Sequence, residues 1–399
     1  MAQPTVTIVT PSYNQGEFIR ATVESVLAQD YPRLEYIVMD GGSTDQTAAI
    51  AGEYASRLTW ISEKDRGQAH AINKGFSRAK GEIVGWLNSD DILLPGAVTR
   101  AVNAFSGVPP GIGAIYGEGY LMDRQGRLTR RFPATEPFNL WKLVYLSDYV
   151  LQQSAFFRRA AVEEIGWLDE KLHYALDWDL LIRLGKRFGL QYVPEYLGAL
   201  REYAEAKSFA GGRERVEEIR RVLERHTGLK RAPGYWTYGL QMRQEAWKER
   251  LENRSPKWLR APAMLASFFS YVATAGAIRT IMRRAQGLYR DRWVSDRLPW
   301  MVPEGKGEVT VYGSVPADAR LDGQTLAVWV EGRELRRWRV EPGRFQLRFE
   351  RPPGREGAFA FEIRASRYRR PRLGSEMDFR RMAWMLEKID WTARERTEA

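Results

Sequence analysis

The stretch Gly85-Trp86-Leu87-Asn88-Ser89-Asp90-Asp91 decides the fold of this chain. An apolar run over residues 83–87 leads directly into a polar segment that ends in two adjacent carboxylates. This pattern predicts a buried strand with negative charge at its carboxyl end, the edge at which open α/β sheets bind ligands. Two interpretations stand at this point. Asp90 and Asp91 hold a divalent metal that carries a phosphorylated ligand, or they cap the helix expected next.

Strand-like and helix-like segments alternate through the first half of the chain, which predicts βαβ units and a mostly parallel sheet. The predicted strands cover residues 6–10, 36–39, 58–61 and 83–87, and helices are expected between them. A polar cluster follows each strand. We therefore expect the loops of Tyr13, Asp40, Arg66 and Asp90 along one edge of the sheet.

These loop residues have chemical and purely structural interpretations. Asp40 suits a ribose hydroxyl or a base edge, and Arg66 suits a diphosphate. Alternatively, Asp40 is an N-cap, Gly41-Gly42 only a tight turn, and Arg66 part of a solvated face. The chain has neither GxGxxG nor GxxxxGK[ST], which disfavours a dinucleotide site or a P-loop.

Length and composition set broad limits. A chain of 399 residues with 44% hydrophobic residues predicts two or three packed domains. The absence of cysteine excludes disulfides and thiolate metal sites. A net charge of +11 favours anionic partners such as phosphates or anionic lipids. No secretory signal is recognised at the N-terminus, so we expect a cytoplasmic location, with or without contact to the inner face of the plasma membrane.

Four segments carry a family resemblance: TPSYN at 10–14, MDGGSTD at 39–45, GQAHAINKG at 67–75 and LNSDD at 87–91. Their order and spacing resemble the motifs of family 2 inverting glycosyltransferases over residues 1–210. The resemblance implies a GT-A fold, a nucleotide-diphosphate sugar donor and a divalent metal, Mn or Mg. It also implies a donor and metal site built from Pro11, Ser12, Tyr13, Asp40, Arg66, Asn88, Ser89, Asp90 and Asp91.

Within that site, the resemblance gives each residue a role. Pro11, Ser12, Tyr13 and Asp40 hold the nucleoside. The triplet Asn88-Ser89-Asp90 stands where the family has its Asp-X-Asp metal motif, so Asn88 replaces the first carboxylate. Asp90, helped by Asp91, is then the main metal ligand.

The resemblance also places the catalytic base. An inverting transfer needs one group to deprotonate the acceptor hydroxyl, and the family has a Glu-Asp pair for this purpose. Here Leu176 replaces the Glu and Asp177 aligns with the Asp, so we predict Asp177 as the base and Asp179 as a structural partner. The alternative is that both aspartates only begin a helix, and Trp178 either stacks on a sugar or fills the core.

Further departures and absences bear on the reaction. Tyr203 stands where the family often has a histidine that contacts metal or diphosphate, and Lys207 is a candidate to reach the diphosphate. The chain lacks the Gln/Arg-X-X-Arg-Trp motif and the membrane helices of processive synthases. Transfer of one or a few sugars is therefore expected.

The second half of the chain predicts two further regions. Helical patterns cover 213–230, 238–251 and 262–284, and residues 263–278 carry no charge. That uncharged segment is a buried inter-domain helix, a helix lying on an anionic membrane surface, or a membrane span. From residue 307 onward the pattern has period two, which predicts a small β-sandwich, loosely similar to β modules of bacterial surface-polysaccharide glycosyltransferases.

These patterns lead to one domain scheme and two hypotheses of function. The domains are a GT-A domain at 1–230, a helical linker at 231–304 and a β-sandwich at 305–399. The first hypothesis is a metal-dependent inverting hexosyltransferase that acts on a glycan or lipid-linked acceptor at or near an anionic membrane, without nucleic acid. The second is a catalytically degenerate glycan-binding or scaffold protein, which the departures at Asn88, Leu176 and Tyr203 keep open.

Overall fold

The computed structural model describes residues 3–203, 205–207, 211–254, 293–319, 321–354, 357–368 and 382–393, with scattered positions between 270 and 288. Its first elements are β1 Val6–Ser12, α1 Ile19–Leu27, β2 Leu34–Asp40, α2 Thr47–Gly52, β3 Thr59–Ser62, α3 Gln68–Arg78, β4 Ile83–Trp86, β5 Ile92–Leu93, α4 Ala97–Ser106, β6 Ala114–Met122, β7 Leu128–Arg131, α5 Leu140–Tyr145, β8 Ala155–Arg158, α6 Arg159–Glu164, α7 Leu176–Arg187, β9 Leu190–Arg201, α8 Gly212–Thr227 and α9 Pro233–Arg254. They are followed by β10 Trp293–Val294, β11 Arg297–Val302, β12 Gly305–Val315, β13 Gln324–Val330, β14 Arg333–Val340, β15 Gly343–Glu350, β16 Phe359–Ala365 and β17 Trp384–Ala393.

The first sheet has nine strands in the order β3-β2-β1-β4-β8-β6-β9-β5, with β7 paired to β6. β3, β2, β1 and β4 are parallel, as predicted. β8 is antiparallel to both of its neighbours, so the whole sheet is mixed. Ser12, Asp40 and Ser62 lie in one row of the parallel register, which brings the ends of three strands to the same edge.

Apolar side chains hold this sheet between helices. β1 is buried along its whole length, as expected for a central strand covered on both faces. One face packs against α1 and α4 through a cluster that includes Ile8, Val23 and Val98, all at most 1% exposed. Full burial of each such side chain stabilises the fold by about 1.5–3 kcal/mol. The core thus fixes the strand ends that carry the polar loops.

The described residues fall into two compact units, one of 1–138 with 148–222 and the other of 139–147 with 223–393. The nine-stranded sheet belongs to the first unit and the strands from β10 onward belong to the second. The predicted scheme of 1–230, 231–304 and 305–399 stays a prediction.

The second unit contains the β-sandwich that period-two alternation predicts. Two antiparallel four-stranded sheets have the orders β10-β17-β12-β15 and β11-β16-β13-β14. Their inner faces share one apolar cluster, in which Leu326, Val328 and Ile363 have no exposed surface. The last strand of the sandwich, β17, lies within the part of the chain from residue 307 onward for which the sandwich is predicted.

The helical region that follows β9 and precedes β10 in the sequence is described in part. α8 corresponds to the helix predicted at 213–230. α9 begins at Pro233, five residues before the helix predicted at 238–251. Proline fits the first turn of a helix because no intrahelical partner is needed for its nitrogen there. Most of 263–278 lies outside the described residues, so its three interpretations stay open. Among the described helices, none is long and apolar enough to cross a membrane.

Candidate active site

The loop after β1 is fastened to the loop after β2 by short polar contacts. The Asn14 backbone N–H donates to Ser43 Oγ at 2.8 Å, and the side-chain oxygen Oδ1 of Asn14 accepts from the Thr44 backbone N–H at 2.9 Å. Asn14 has a left-handed backbone with φ of 51°, which asparagine tolerates better than most residues. These contacts leave the Tyr13 ring 60% exposed at the sheet edge. The loop thus presents one aromatic face to solvent.

Pro11 and Ser12, which precede Tyr13, are buried. The Ser12 hydroxyl has no hydrogen-bond partner within the described part of the chain. Orphaned buried hydroxyls are uncommon, so Ser12 has an unused donor and acceptor at this edge.

Asp40, at the end of β2, organises the second loop. Its carboxylate accepts from the N–H groups of Gly42 and Ser43 and from the hydroxyls of Ser43 and Ser62. The residue is 1% exposed. The structure therefore places Asp40 at the predicted edge of the sheet, and both of its carboxylate oxygens accept hydrogen bonds from the protein. Its proposed contact with the nucleoside stays a prediction.

Asp90 and Asp91 have different surroundings. The Asp91 carboxylate accepts from Gln153 Nε2 at 2.5 Å, from Asn88 Nδ2 at 3.1 Å and from the Arg201 backbone N–H at 2.9 Å. Asp91 is 1% exposed. Burial, and next the charge of Asp90, raise the pKa of Asp91 well above its usual value. Asp91 is therefore held by the protein on both oxygens.

Asp90 keeps one oxygen open. Asp90 Oδ2 accepts from the Tyr203 hydroxyl at 2.8 Å, and Oδ1 accepts nothing from another residue of the described part. Burial raises the pKa of Asp90, and the Tyr203 hydrogen bond opposes that rise. A cation at Oδ1 would relieve the cost of this half-buried charge.

The capping interpretation of this acidic pair does not hold. The next helix, α4, begins at Ala97 after Gly96 in a left-handed conformation. Asp91 therefore lies several residues before the helix and makes no cap hydrogen bond to it. The acids belong to the loop, and their partners come from β9 and from the segment before β8.

The described residues contain no group of three or more carboxylate, histidine or cysteine side chains that would hold a metal by themselves. This is compatible with a metal that binds through one or two carboxylates and substrate phosphates, a common arrangement for Mg²⁺. Asp90 Oδ1 offers one such ligand, and Ser89 beside it is buried. The residues present therefore fit a metal that is completed by a diphosphate.

Arg66 lies in the loop between β3 and α3. Its guanidinium is 69% exposed and pairs with Glu170. An exposed ion pair contributes about 0–1 kcal/mol, so exchange of Glu170 for an anionic ligand costs little. The Arg66 N–H also donates to His70 Nδ1 at 3.0 Å, which fixes the start of α3.

Asp177 and Asp179 both lie in the first turn of α7. The Asp177 carboxylate accepts the Trp178 N–H at 2.8 Å, and burial raises its pKa while Arg215 and Lys207 lower it. Asp179 has no exposed side-chain surface and pairs with Arg183 at 2.7 Å. Trp178 is 2% exposed. Of the two aspartates in this turn, Asp177 is thus the one whose carboxylate is not committed to an ion pair within the described residues. Trp178 fills the core.

Sequence reasoning missed two residues around Asp177. Glu218, on α8, is 5% exposed and accepts the backbone N–H groups of His173, Tyr174 and Ala175. It thereby holds the segment that enters α7. A signal existed, because Glu218 is four residues before Val222 and so lies on the apolar stripe of its helix.

The other is Asp148. Lys207, which the sequence made a candidate to reach the diphosphate, also acts on Asp177. Burial and the charge of Asp177 raise the pKa of Asp148 well above its usual value. Burial lowers the pKa of Lys207 to about 8, against the opposing charges of Asp177 and Glu218. The Asp148 position carried no sequence signal, because its neighbours in the fold are distant in the chain.

Comparison with known proteins identifies the family of this chain. Residues 7–166 match the family model described as Glycosyl transferase family 2. An uncharacterized glycosyltransferase of Mycobacterium tuberculosis (strain CDC 1551 / Oshkosh) is 38% identical over 184 residues, which are 45% of this chain and 68% of that protein. The chain belongs to glycosyltransferase family 2. It is therefore an enzyme of the class that transfers sugars, and its first sheet is a GT-A sheet.

One further relative and two solved structures have lower sequence identity to this chain. Chondroitin synthase of Escherichia coli is 31% identical over 186 residues, which are 46% of this chain and 27% of that protein. S. aureus TarS 1-349 in complex with UDP-GlcNAc has 17% identity and a TM-score of 0.44 over 72% of this chain and 93% of that chain. Mannosyltransferase PcManGT from Pyrobaculum calidifontis, in complex with GDP-Man and Mn²⁺, has 20% identity and a TM-score of 0.44 over 73% and 82%. Scores below 0.5 do not bear on the donor or the metal of this chain.

Proposed function

We propose that this protein is a metal-dependent inverting hexosyltransferase that moves a sugar from a nucleotide-diphosphate sugar to an acceptor hydroxyl. The proposal rests on the open carboxylate oxygen of Asp90. This oxygen lies at the sheet edge that also carries Tyr13, Asp40 and Arg66. Family membership supports sugar transfer, and the metal, the inversion and the residue roles are parts of the proposal.

The donor half of the site follows from the chemistry of its side chains. The exposed Tyr13 ring offers a stacking face to a base. Pro11, Ser12 and Asp40 shape the nucleoside pocket beside it, and the unpartnered Ser12 hydroxyl is available to a ligand. Arg66 exchanges Glu170 for the diphosphate, since guanidinium groups match phosphate oxygens in two-point contact.

The metal belongs to the loop of Asn88, Ser89, Asp90 and Asp91. Asp90 Oδ1 is the proposed ligand, and Asp91 holds the loop in place through its three hydrogen bonds. When bound, Mn or Mg supplies positive charge to the departing diphosphate. Asp90 orients that charge, and Tyr203 orients Asp90.

Asp177 is the proposed general base. It accepts the proton of the acceptor hydroxyl as that oxygen attacks the anomeric carbon from the face opposite the diphosphate. One displacement inverts the configuration at that carbon. The new glycosidic bond should therefore have the opposite anomeric configuration from the donor, and the anomeric coupling constant in the NMR spectrum of the product measures this.

The acceptor is proposed to be a glycan or a lipid-linked glycan in cell-surface polysaccharide synthesis. One family 2 relative is named chondroitin synthase, which is compatible with a polysaccharide product. A net charge of +11 suits work near an anionic membrane surface in the cytoplasm.

The test is a thermal-shift screen of UDP-, GDP- and dTDP-sugars with and without Mn²⁺. A ligand that binds only the folded state raises the melting temperature, by the equivalent of about 2.7 kcal/mol at a concentration of 100 Kd. We expect one nucleotide to give a metal-dependent shift and Asp90→Asn to lose the metal-dependent part. If no nucleotide shifts the melting temperature, the degenerate scaffold replaces the enzyme as the better account.

A further inference from the structure

An unbroken chain of hydrogen bonds joins the metal loop to the surroundings of Asp177. Lys207 Nζ donates to Gln68 Oε1 at 2.7 Å, and Gln68 Nε2 donates to Asn88 Oδ1 at 2.7 Å. Asn88 Nδ2 then donates to Asp91 Oδ2 at 3.1 Å. The four residues come from three separate stretches of sequence, with Asn88 and Asp91 in one loop, so only the fold brings Lys207 and Gln68 to that loop.

The polarity of this series of hydrogen bonds is fixed from its Lys207 end, because a lysine ammonium can only donate. Its other end is the Asp91 carboxyl group. The two amides between them must therefore point the same way, each accepting on the Lys207 side and donating on the Asp91 side. No other orientation of Gln68 or Asn88 satisfies all three contacts.

This polarity explains why residue 88 is an asparagine where the family pattern has an aspartate. A carboxylate at 88 would face Asp91 Oδ2 at the present amide distance of 3.1 Å. Two carboxylates this close cannot both stay ionised. The amide of Asn88 accepts and donates at once, and an ionised carboxylate cannot do both.

At its other end, the series of hydrogen bonds holds the Lys207 ammonium near Asp177, the proposed base. Among the described residues, the charges of Lys207 and Arg215 lower the pKa of Asp177, and the charge of Asp177 in turn raises the pKa of Asp148. The Lys207 ammonium is pulled toward Gln68 by its hydrogen bond and lies in the field of both Asp177 and Glu218. Its position is therefore set by the amides rather than by solvent.

We propose that Gln68 and Asn88 are positioning residues that hold the Lys207 ammonium beside Asp177, so that the metal loop and the acceptor base are set in place together. The inference rests on the proposed role of Asp177 as the base. An ammonium at this position lowers the pKa of the Asp177 carboxyl and so opposes burial, which raises it. Asn88 then acts through Gln68 and Lys207 and is not itself a metal ligand.

The experiment is the pH dependence of kcat/KM, whose acid limb reports the ionisation of the base. Loss of the nearby cation raises the pKa of a carboxylate, so Lys207→Met should move the acid limb to higher pH by about 1 unit. Gln68→Ala should move it in the same direction by less. Gln68→Ala combined with Lys207→Met should move it no further than Lys207→Met alone, because both act through one ammonium.

Two variants complete the design. Lys207→Arg keeps the charge and should return the acid limb toward its original position. Lys80→Met removes an exposed lysine outside the series of hydrogen bonds. Alone it should leave the wild-type profile unchanged, and in combination with Gln68→Ala it should give the same shift as Gln68→Ala alone. A fall in rate at every pH with an unmoved acid limb in Lys207→Met would overturn the proposal. So would additive shifts in the double variant.

Failure of the positioning role can be told from failure of the proposed function. If Asp177→Asn keeps full turnover, the base assignment is wrong. If Asp177→Asn is inactive while Lys207→Met leaves the acid limb in place, the base stands and only the positioning role fails.

Discussion

Asp177 and Asp179 stand two positions apart on α7 and meet opposite surroundings. Asp179 is fully buried against Arg183, whose guanidinium also donates to the carbonyl oxygens of Ile165 and Trp167. Asp177 has one local hydrogen bond and two cations nearby. One acid is therefore committed to the fold, and the other is available to a substrate.

This difference predicts opposite results for two substitutions. Asp177→Asn should reduce turnover by at least about 100-fold, since general-base catalysis contributes 10²–10⁴, while donor binding and the melting temperature stay near wild type. Asp179→Ala leaves the partly buried Arg183 guanidinium without its carboxylate partner and should destabilise the protein by about 3 kcal/mol. Single-turnover assays and urea unfolding measure the two effects, and unchanged turnover in Asp177→Asn would refute its role.

How far the sequence predicts single residues is clear at Asp90 and Asp91. Their adjacency predicts an acidic strand end, and the structure places both residues there. Which oxygen stays open depends on Gln153, Arg201 and Tyr203, each more than 60 positions away. Spacing within a motif carries no information about partners that only tertiary folding supplies.

At the scale of elements, α3 lies unusually close to the central strand. A Cβ on Gly75 would lie 2.3 Å from Val9 Cγ1 and 3.0 Å from its Cγ2. Both residues are in the packed interior, so neither can move away cheaply. The absence of a side chain at 75 sets the spacing between α3, which carries Gln68, and β1, which leads to Tyr13.

Gly75→Ala should therefore destabilise the protein by about 1–3 kcal/mol through overpacking, although alanine is the better helix former. Gly52→Ala is the matched control, because a Cβ there meets nothing within 4 Å, and it should be neutral or slightly stabilising. Chemical denaturation of both variants measures the difference. Equal stability of the two would mean that the α3 contact relaxes freely.

Glu218 predicts a second effect at this scale. Its carboxylate accepts from three consecutive N–H groups that lead into α7. Glu218→Gln offers one carbonyl oxygen in place of two carboxylate oxygens, so a buried donor loses its partner at a cost of about 1–3 kcal/mol. We expect lower kcat with the donor KM unchanged. Glu217→Gln, at an exposed neighbour paired with Arg220, should change neither kinetic constant.

Element prediction failed where a local rule was overridden. β9 was not predicted, because Pro194 interrupts its sequence and proline weakens a strand assignment. In the structure Pro194 is exposed, and the pairing of β6 with β9 shifts register at that point, from Tyr116↔Tyr192 to Glu118↔Tyr196. The irregularity accommodates the missing N–H. β5 was missed because a strand of two residues leaves no periodic signal.

At the scale of the whole molecule, the nine-stranded sheet and the β-sandwich have separate apolar cores. Ile8 and Leu87 belong to the core of the first unit, and Leu326 and Ile363 belong to the core of the sandwich. Alternation of period two was enough to predict the sandwich, because each of its strands has one face inward. The pairing order of those strands was not predicted, since it depends on contacts between distant segments.

The separation of the cores makes a prediction about donor binding. Every residue proposed for the donor and metal site belongs to the first unit. Leu326→Ala empties space in the sandwich core and should cost about 2–5 kcal/mol of stability, while the donor-induced thermal shift stays the same. Leu87→Ala removes a side chain of equal burial directly before Asn88, and it should lower both stability and donor affinity.

The comparison of these two leucines tests what the sandwich contributes. Both variants lose the same number of buried methylene groups, so loss of stability alone cannot separate them. Donor titration separates them, because only Leu87 supports the loop that holds Asp90. If Leu326→Ala weakens donor binding as much as Leu87→Ala does, the sandwich core acts on the donor site, and the site cannot be assigned to the first unit by itself.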